Sequence, residues 1–473
     1  MLGVGADSIC RIVLGEIPKD RKVGPPFGTC CISIAQTEAI MTLAITFVFV
    51  LAYLAIALEH PLRLHKTASA LLGAAVCWSL YALLGTDAGL VHEQLVENLA
   101  EAAGIIVFLM GAMTIVEIVD AHGGFSLVTD RIHTRDLRKL MWIIAWVTFF
   151  LSAALDNLTT TIVMVSLVRK LLKKHEDRLI FAGLIVIAAN AGGAWSPIGD
   201  VTTTMLWIGG QISAGAIVQG VFFPSVLNLL VPLAVLSFWV KGEATMVQGA
   251  GIDAAGHSPG HIAGASVREK TLVFFLGIGS LLFVPIFKTV THLPPWMGIL
   301  FGLGVLWTVT EYIHRNKAET SSSHLGVASA LRRIDRPSVL FFLGILLAVG
   351  SLQAIGQLAA AAGWLDQAVG NTAGIVFLIG ILSAIVDNVP LVAASMGMYS
   401  LENYPQDHFL WEFLAYCAGT GGSMLIIGSA AGVAAMGLEK ITFGWYLRKI
   451  GPLAALGYFA GAGVFLLQVQ VLR

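Results

Sequence analysis

Charged residues are scarce in this chain of 473 residues, where Asp, Glu, Lys and Arg together make up 12% of the sequence. A soluble domain carries about 25%. The chain is 57% hydrophobic, and its apolar runs reach about 20 residues, the length of one membrane-spanning helix. These runs lack the alternation of apolar and polar residues found in barrel strands. Lipid offers no hydrogen-bond partner to backbone N–H and C=O groups, so the runs are expected to be helices. The sequence therefore predicts an all-α polytopic membrane protein whose main partner is the lipid bilayer.

Several motifs of other chemistries are also missing. The sequence contains no Gly-x-x-x-x-Gly-Lys-Ser/Thr loop, no His-Glu-x-x-His and no Gly-x-Ser-x-Gly. Its five cysteines have no metal-ligand spacing. Gly199-Asp200 resembles part of the intramembrane aspartyl protease motif, but Pro197 stands where that motif has its other glycine. Because these motifs are missing, we expect no enzyme and no cofactor. The net charge of −1 favours no nucleic-acid partner.

Two short polar patterns each occur twice inside the apolar segments, at offsets of 231 and 229 residues. A third match, Phe108 with Phe341, has an offset of 233 residues. Such a register indicates a duplicated membrane unit with its site at the repeat interface, which is typical of secondary transporters. The two patterns are Asp156-Asn157 with Asp387-Asn388, and Asn190-Ala191-Gly192-Gly193 plus Gly199-Asp200 with Gly419-Thr420-Gly421-Gly422 plus Gly428-Ser429.

Flanking charges indicate how two of the interrupted segments enter the membrane. Segment 140–168 has basic residues on both sides, so both of its ends should be cytoplasmic. Segment 374–400 lies in a stretch without Lys or Arg from Pro337 to Glu439, so both ends should lie outside. The sequence therefore predicts two re-entrant hairpins of opposite orientation, whose tips meet near the middle of the membrane.

Two further segments, 179–209 and 409–438, carry Gly-Gly pairs in mid-span and are predicted to be broken helices. The predicted plain spans are 39–59, 67–86, 103–119, 212–240, 271–287, 295–313, 338–356 and 450–471. The basic run Arg63–Lys66 is assigned to a cytoplasmic flank.

These elements divide the chain into a leader and four further parts. The predicted parts are a leader or disordered extension at 1–38, scaffold spans at 39–102, a first repeat at 103–240, cytoplasmic loops and linking spans at 241–336, and a second repeat at 337–473.

The polar side chains inside these segments are the candidate site. A hard cation such as Na+ prefers carboxylate, amide, hydroxyl and free carbonyl oxygens. The carboxylates and amides are Asp156, Asp200, Asp387, Asn157, Asn190 and Asn388. The hydroxyls are Ser152, Ser383, Thr159, Thr160, Ser196, Thr202, Thr203, Thr420, Ser423 and Ser429. We predict that Na+ binds at Asp156, Asn157, Asp387 and Asn388.

Each of these features also has an explanation that needs no ion. The three aspartates are suited to cap helices, and either role is compatible with the other. Threonine hydroxyls often bond back to helix carbonyls, and paired glycines permit close helix packing. His92 and Glu101 lie at the expected external mouth, where a pH-responsive role competes with a simple surface position.

At these residues the chain resembles the NhaD-type sodium/proton antiporters of the ion transporter superfamily. The resemblance rests on Leu155–Thr160, Asn190–Thr204, Asp387–Pro390 and Gly419–Gly432. It implies that Asp156, Asn157, Asn190, Asp200, Thr202, Thr203, Asp387, Asn388 and Ser429 belong to the ion pathway. It also implies a homodimer whose subunits each have a scaffold plus a mobile transport domain. The implied activity is the export of Na+ or Li+ in exchange for protons by alternating access. We expect a bacterial inner membrane.

The rival interpretation is a Na+-coupled symporter for a carboxylate or an oxyanion. Against it, the two tips carry Asp-Asn, so negative charge already lies where an anion would bind. A binding or structural membrane protein would need no acid-bearing breaks at all.

Overall fold

The computed structural model describes residues 27–85, 87–129, 134, 136–243, 266–315 and 325–472. These residues form α-helices, and their one β-type pairing is an isolated bridge between Asp136 and Glu243. Most of the predicted leader, residues 1–26, lies outside the described residues. The first helix begins at Phe27, upstream of the span predicted to start at residue 39.

The helices are labelled in chain order. They are α1 Phe27–Ala57, α2 Glu59–Leu62, α3 Lys66–Leu84, α4 Ala88–Ala121, α5 Ser126–Thr129, α6 Leu137–Ala154, α7 Asn157–Leu171, α8 His175–Ala194, α9 Val201–Ile208, α10 Ala214–Trp239, α11 Val267–Thr291, α12 Pro295–His314, α13 Val327–Arg333, α14 Arg336–Ala354, α15 Gln357–Val369, α16 Thr372–Leu382, α17 Asn388–Met398, α18 Phe409–Gly421, α19 Ala430–Glu439, α20 Phe443–Lys449 and α21 Gly451–Leu472.

Within the described residues, 10 helices are long and apolar enough to cross a membrane. Each predicted plain span coincides with one of them. Helix α4 is much longer than the predicted span, with 34 residues against the roughly 20 that one crossing needs. Helix α15 was not predicted. It lies between two glycines with left-handed backbone, Gly356 (φ 74°) and Gly370 (φ 67°), and the chain bends by 109° between α15 and α16.

All four segments with polar interruptions are broken at those polar residues. The breaks lie between α6 and α7, α8 and α9, α16 and α17, and α18 and α19. In each case the residue immediately before the second helix caps that helix. Asp156 accepts from the Thr159 N–H, and Asp387 from the Val389 N–H. Asp200 caps α9 and Ser429 caps α19 in the same way. These caps satisfy N–H groups that the break would otherwise leave without a partner.

Two groups of helices pack mainly among themselves. In one, α3 packs on α1 and α14, and α4 packs on α11, α12, α13 and α14. In the other, α8 packs on α6, α7, α10, α18 and α19, and α21 packs on α10 and α18. Contacts between the groups include α14 with α17 and α4 with α9. The polar breaks therefore lie at or near the boundary between the groups.

The duplicated register of the sequence is matched by duplicated close contacts. A Cβ added at Gly192 would run into the carbonyl of Phe149, and one added at Gly421 into the carbonyl of Gly380. The offsets are 229 residues for the glycines and 231 for their partners. Helix packing is duplicated as well, because α7 packs on α19 and α17 packs on α9. Glycine at these two positions lets α8 touch the backbone of α6, and α18 touch the backbone of α16.

Candidate functional site

Asp200 lies at the point where the two halves of the chain meet. Its side chain is 2% exposed. Oδ1 accepts the Thr202 N–H at 3.1 Å. Oδ2 accepts from the amide of Asn157 at 3.0 Å and from the amide of Asn388 at 3.4 Å. The residues that open α7 and α17 therefore converge on one carboxylate.

Asn190 extends this network into the last broken segment. Its Oδ1 accepts from Asn157 Nδ2 at 3.0 Å. Its own Nδ2 donates to Ser423 Oγ and Ser429 Oγ, both at 2.9 Å. Because Asn190 is fully buried, these bonds fix the orientation of its amide and hold α8 to the start of α19.

The side chain of Asp156 forms hydrogen bonds with the first turn of the helix that follows it. Its Oδ1 accepts the Thr159 N–H at 2.7 Å, and its Oδ2 accepts the Thr159 hydroxyl at 2.6 Å. Both bonds are within the first turn of α7, so the capping role expected for this residue is present. Its side chain also lines the cavity described below.

Asp387 forms an ion pair that the sequence did not predict. Lys66 Nζ lies 2.7 Å from Asp387 Oδ2 and 4.5 Å from the centre of the Phe341 ring. The other carboxylate oxygen, Oδ1, accepts the Val389 N–H at 3.2 Å. Lys66 was expected to belong to a cytoplasmic flank. It is instead the first residue of α3, and its side chain enters the site.

A cavity that is partly open to its surroundings joins these groups. All three aspartates line it, together with Lys66 and both tip asparagines. Apolar side chains of α4, among them Phe108, Leu109 and Met113, form much of the facing wall. Carboxylates and amide groups thus share one space with a single ammonium group and an apolar surface.

Most of the predicted hydroxyl ligands bond to backbone rather than to the cavity. Ser152 donates to the Ala189 carbonyl, and Ser383 donates to the Ala418 carbonyl, again as repeat equivalents. Ser196, Thr203 and Thr420 donate to the carbonyls of Ala153, Asp200 and Tyr416. Thr160 is buried but does not line the cavity. Thr202 contacts Asp200 through its backbone N–H, which donates to Asp200 Oδ1.

His92 and Glu101 lie away from this group. Both are exposed on α4, and neither lines the cavity. Glu117, further along the same helix, pairs with Arg333 at 3.3 Å. The structure therefore brings together Asp156-Asn157, Asp387-Asn388, Asn190, Asp200, Ser423 and Ser429. It leaves His92 and Glu101 outside.

This donor set suits a monovalent hard cation. Carboxylate and amide oxygens are the ligands that such ions prefer. Among the described residues, no group of three His, Cys, Asp or Glu side chains is close enough to hold a metal ion. Any cation in the cavity would therefore share its carboxylates with the amides of Asn157 and Asn388.

The chain is similar to known transporters over nearly its whole length. The profile of the family described as citrate transporter matches residues 49–411. The chain is 49% identical to sodium/proton antiporter 1 of Arabidopsis thaliana over 93% of this chain and 74% of that protein. It is also 49% identical to sodium/proton antiporter 2 of the same plant, over 88% and 97%. Its identity to the Na(+)/H(+) antiporter NhaD of Vibrio cholerae is 31%, over 91% and 92%.

Proposed function

Since the chain belongs to the citrate transporter family and to the group of sodium/proton antiporters that it matches over nearly its whole length, we propose that it is a secondary active Na+/H+ antiporter. It is an integral, multi-pass membrane protein. It exports Na+, or Li+, in exchange for protons. In this proposal Na+, Li+ and H+ are transported substrates, and the mechanism needs no resident cofactor.

The observation that carries this proposal is the convergence of Asn157 and Asn388 on Asp200. A buried carboxylate is costly as a bare charge, so it is neutralised by a proton or by a cation. The two states exclude each other, because a proton on the carboxylate removes the charge that attracts Na+. Proton entry therefore releases Na+, and Na+ binding releases protons. This competition is the chemical requirement of antiport.

The amides of Asn157 and Asn388 can serve both the carboxylate and the cation. Both donate to Asp200 Oδ2, and such bonds stabilise the charged form of the carboxylate. When a cation enters, an amide that rotates presents its oxygen as a ligand. We place Na+ between Asp156, Asp200 and the two asparagines Asn157 and Asn388. Asp387, which the sequence predicts as a ligand, is paired with Lys66, and its contact with Na+ stays a prediction.

The finer architecture is part of the same proposal. The duplicated glycine contacts, and the packing of α7 on α19 and α17 on α9, support two inverted repeats. We propose that α6–α7 and α16–α17 are re-entrant hairpins, and that the helix group containing α8 and α18 is the transport domain. The group containing α3, α4 and α14 is then the scaffold, and through it the protein forms a homodimer. In this assignment α4 and α14 belong to the scaffold although they open the two repeats.

The second candidate is a Na+-coupled carrier of a carboxylate, which the description of the matching family favours. An anionic substrate needs cationic or donor groups that are not already used. The ammonium group in the cavity is already paired with Asp387, and the tip amides donate to Asp200. The cavity otherwise presents three carboxylates, which would repel the substrate. The geometry therefore supports cation exchange better.

A vesicle assay tests the proposal. The full chain is reconstituted with a pH gradient that is acid inside, and the internal pH is followed with a fluorescent dye. We expect added Na+ or Li+ to dissipate the gradient, while citrate or succinate at constant Na+ leaves it unchanged. A gradient that responds to citrate would favour the carboxylate carrier. A gradient that responds to neither would remove both proposals.

The membrane in which the protein lies is a separate prediction. A bacterial inner membrane was expected from the resemblance to NhaD. The NhaD relatives are bacterial, whereas the relatives at 49% identity come from a plant. The placement in a bacterial membrane therefore stays a prediction, which fractionation of the source cells would test.

A further inference from the structure

Lys288 joins the two groups of helices through the helix that Asp200 caps. It lies in α11, which packs on α4 in the group that we assign to the scaffold. Its Nζ donates to the Trp207 carbonyl at 3.0 Å and lies 5.0 Å from the centre of the Trp207 ring. Trp207 belongs to α9, which packs on α17 and α18. A side chain of the scaffold group is thus bonded to a helix of the transport group.

The surroundings of Lys288 favour a cation at this place. The last carbonyls of a helix lack intrahelical donors and carry a partial negative charge. The Trp207 carbonyl has a second donor, the Gly210 N–H, but at the longer distance of 3.4 Å. The face of an aromatic ring also attracts an ammonium group. Asp407, whose Oδ1 accepts the Ser213 N–H, interacts electrostatically with Lys288 and balances its charge.

Trp207 connects this contact to the wall of the site cavity. It is 1% exposed, and its ring meets that of Phe108 edge-on, with 6.3 Å between the ring centres and an angle of 87°. Phe108 lines the cavity, whereas Trp207 and Lys288 do not. A series of contacts therefore leads from the cavity through Phe108 and Trp207 to Lys288.

The cavity lies toward the cytoplasmic side of the protein. Its lining includes the first residue of α3, and Ser338 and Phe342 in the first two turns of α14. Both helices directly follow basic residues, among them Arg63 and Arg333. Basic flanks mark the cytoplasmic ends of membrane helices, so the cavity is formed at the cytoplasmic ends of α3 and α14.

The latch contact, Lys288 with the end of α9, lies on the opposite side. Helix α11 carries Arg268 and Lys270 in its first turn and Lys288 in its last turn. Helix α8 starts after the basic loop 172–174, and α9 continues the crossing beyond Asp200. By the same rule the ends of α9 and α11 are the outer ends. The latch contact therefore lies between Asp200 and the outer side.

We propose that Lys288 is a positioning residue that closes the outer route to the site. Its bond to α9 holds the transport group against the scaffold while the cavity faces the cytoplasm. The bond has to break before Asp200 faces the outside, because its two partners belong to groups that move relative to each other. The inference rests on the alternating access of the proposed antiport.

Labelling of a cavity cysteine from each side tests the latch contact. The reporter is Met113→Cys in the full-length chain, since Met113 lines the cavity, and the chain without the reporter gives the background. A membrane-impermeant maleimide is added to right-side-out vesicles and, separately, to inverted vesicles. We expect Lys288→Met to label at least about threefold faster from the outer side, because loss of the bond shifts the population toward the outward-facing state. Labelling from the cytoplasmic side should not become faster.

Two control variants accompany this measurement. Lys288→Arg keeps the charge and the donor, and should label from outside as slowly as the unchanged protein. Lys270→Met removes a lysine from the other end of α11 and should have no effect either. An unchanged outer labelling rate in Lys288→Met would overturn the inference. Faster labelling from both sides would overturn it too, because that result indicates general loosening of the fold.

A reversible cross-link provides a second test if Lys288→Met does not fold. Lys288→Cys and Ile208→Cys are combined and joined by a reagent with a reducible spacer, so that a covalent link replaces the hydrogen bond. The joined protein should neither label from outside nor exchange Na+ for protons, and reduction should restore both. Exchange by the joined protein would overturn the latch contact. Labelling as expected in a protein that shows no exchange before joining would instead refute the antiport.

Discussion

Asn157 and Asp200, which lie 43 residues apart in the chain, are joined by a 3.0 Å hydrogen bond at the centre of the site. The same oxygen of Asp200 also faces Asn388, at 3.4 Å. The negative charge of one carboxylate therefore holds both tips. Four predictions follow from this arrangement and from the packing around it.

The first concerns the charge of Asp200. We expect Asp200→Asn to lower the apparent Na+ affinity at least about tenfold, because the neutral side chain neither attracts the cation nor accepts two amides as strongly. The Na+ concentration that half-dissipates the vesicle pH gradient measures this effect. Asp366→Asn, which changes an exposed carboxylate on α15, is the control and should leave the value unchanged. Equal apparent Na+ affinities in the two variants would show that Asp200 acts only as a helix cap.

The two tip asparagines should differ in their contributions. Asn157 makes two hydrogen bonds of 3.0 Å, to Asn190 and to Asp200, whereas Asn388 makes one of 3.4 Å. Bonds to charged groups contribute on the order of 1.5–3 kcal/mol. We therefore expect Asn157→Ala to lower Na+ affinity more than Asn388→Ala does, in the same vesicle assay. A double-mutant cycle with Asp200→Asn should show coupling for Asn157, and additive effects there would contradict the direct contact.

The duplicated glycine contacts predict a pair of destabilising substitutions. In Gly192→Ala and Gly421→Ala the new methyl group meets a backbone carbonyl that has no room to move. Overpacking of this kind costs on the order of 1–3 kcal/mol. Both variants should therefore melt several degrees lower, as measured by thermal unfolding in detergent. Gly437→Ala in α19, where the added carbon meets open space, is the matched control and should melt no lower. Unchanged Tm values in both variants would contradict the close contacts of Gly192 with Phe149 and of Gly421 with Gly380.

Glu439 makes a buried ionic cluster at the end of α19. Its side chain is 2% exposed and lies 3.3 Å from Arg169 and 3.0 Å from Arg178. Removing one partner of a wholly buried pair costs on the order of 3–5 kcal/mol. The cost here is smaller, because the arginine side chains are 51% and 24% exposed and water can solvate their charges. Glu439→Gln should lower the Tm, whereas Glu402→Gln at an exposed position should not. A Tm equal in both variants would mean that solvent already screens the cluster.

Local signals account for the parts that were predictable. An acidic residue followed by Asn, and paired glycines inside an apolar run, interrupt a helix through capping and backbone freedom, which are properties of the residues themselves. The four breaks could therefore be located from the sequence. Helix α15 could not, because its short alanine-rich stretch between two glycines has too few residues to be recognised as a membrane element.

The parts of the site that the sequence did not predict depend on contacts between residues far apart in the chain. Lys66 follows Arg63 and His65 directly before an apolar span, which is also the pattern of an ordinary cytoplasmic flank. Its partner lies 321 residues away, so no local signal distinguishes it. The central position of Asp200 is hidden for the same reason, because Asn157 and Asn388 reach it only after both tips have folded against α8 and α9.

The contacts of Gly192 with Phe149 and of Gly421 with Gly380 leave no clearance for sliding between adjoining backbones. In the alternating access that we propose, the helices that carry Asp200, Asn157 and Asn388 then move together. The contacts that change in that motion include those of α14 with α17 and of α4 with α9. Turnover speed should accordingly be tuned by side chains along these two seams, far more than by the interior of the moving bundle.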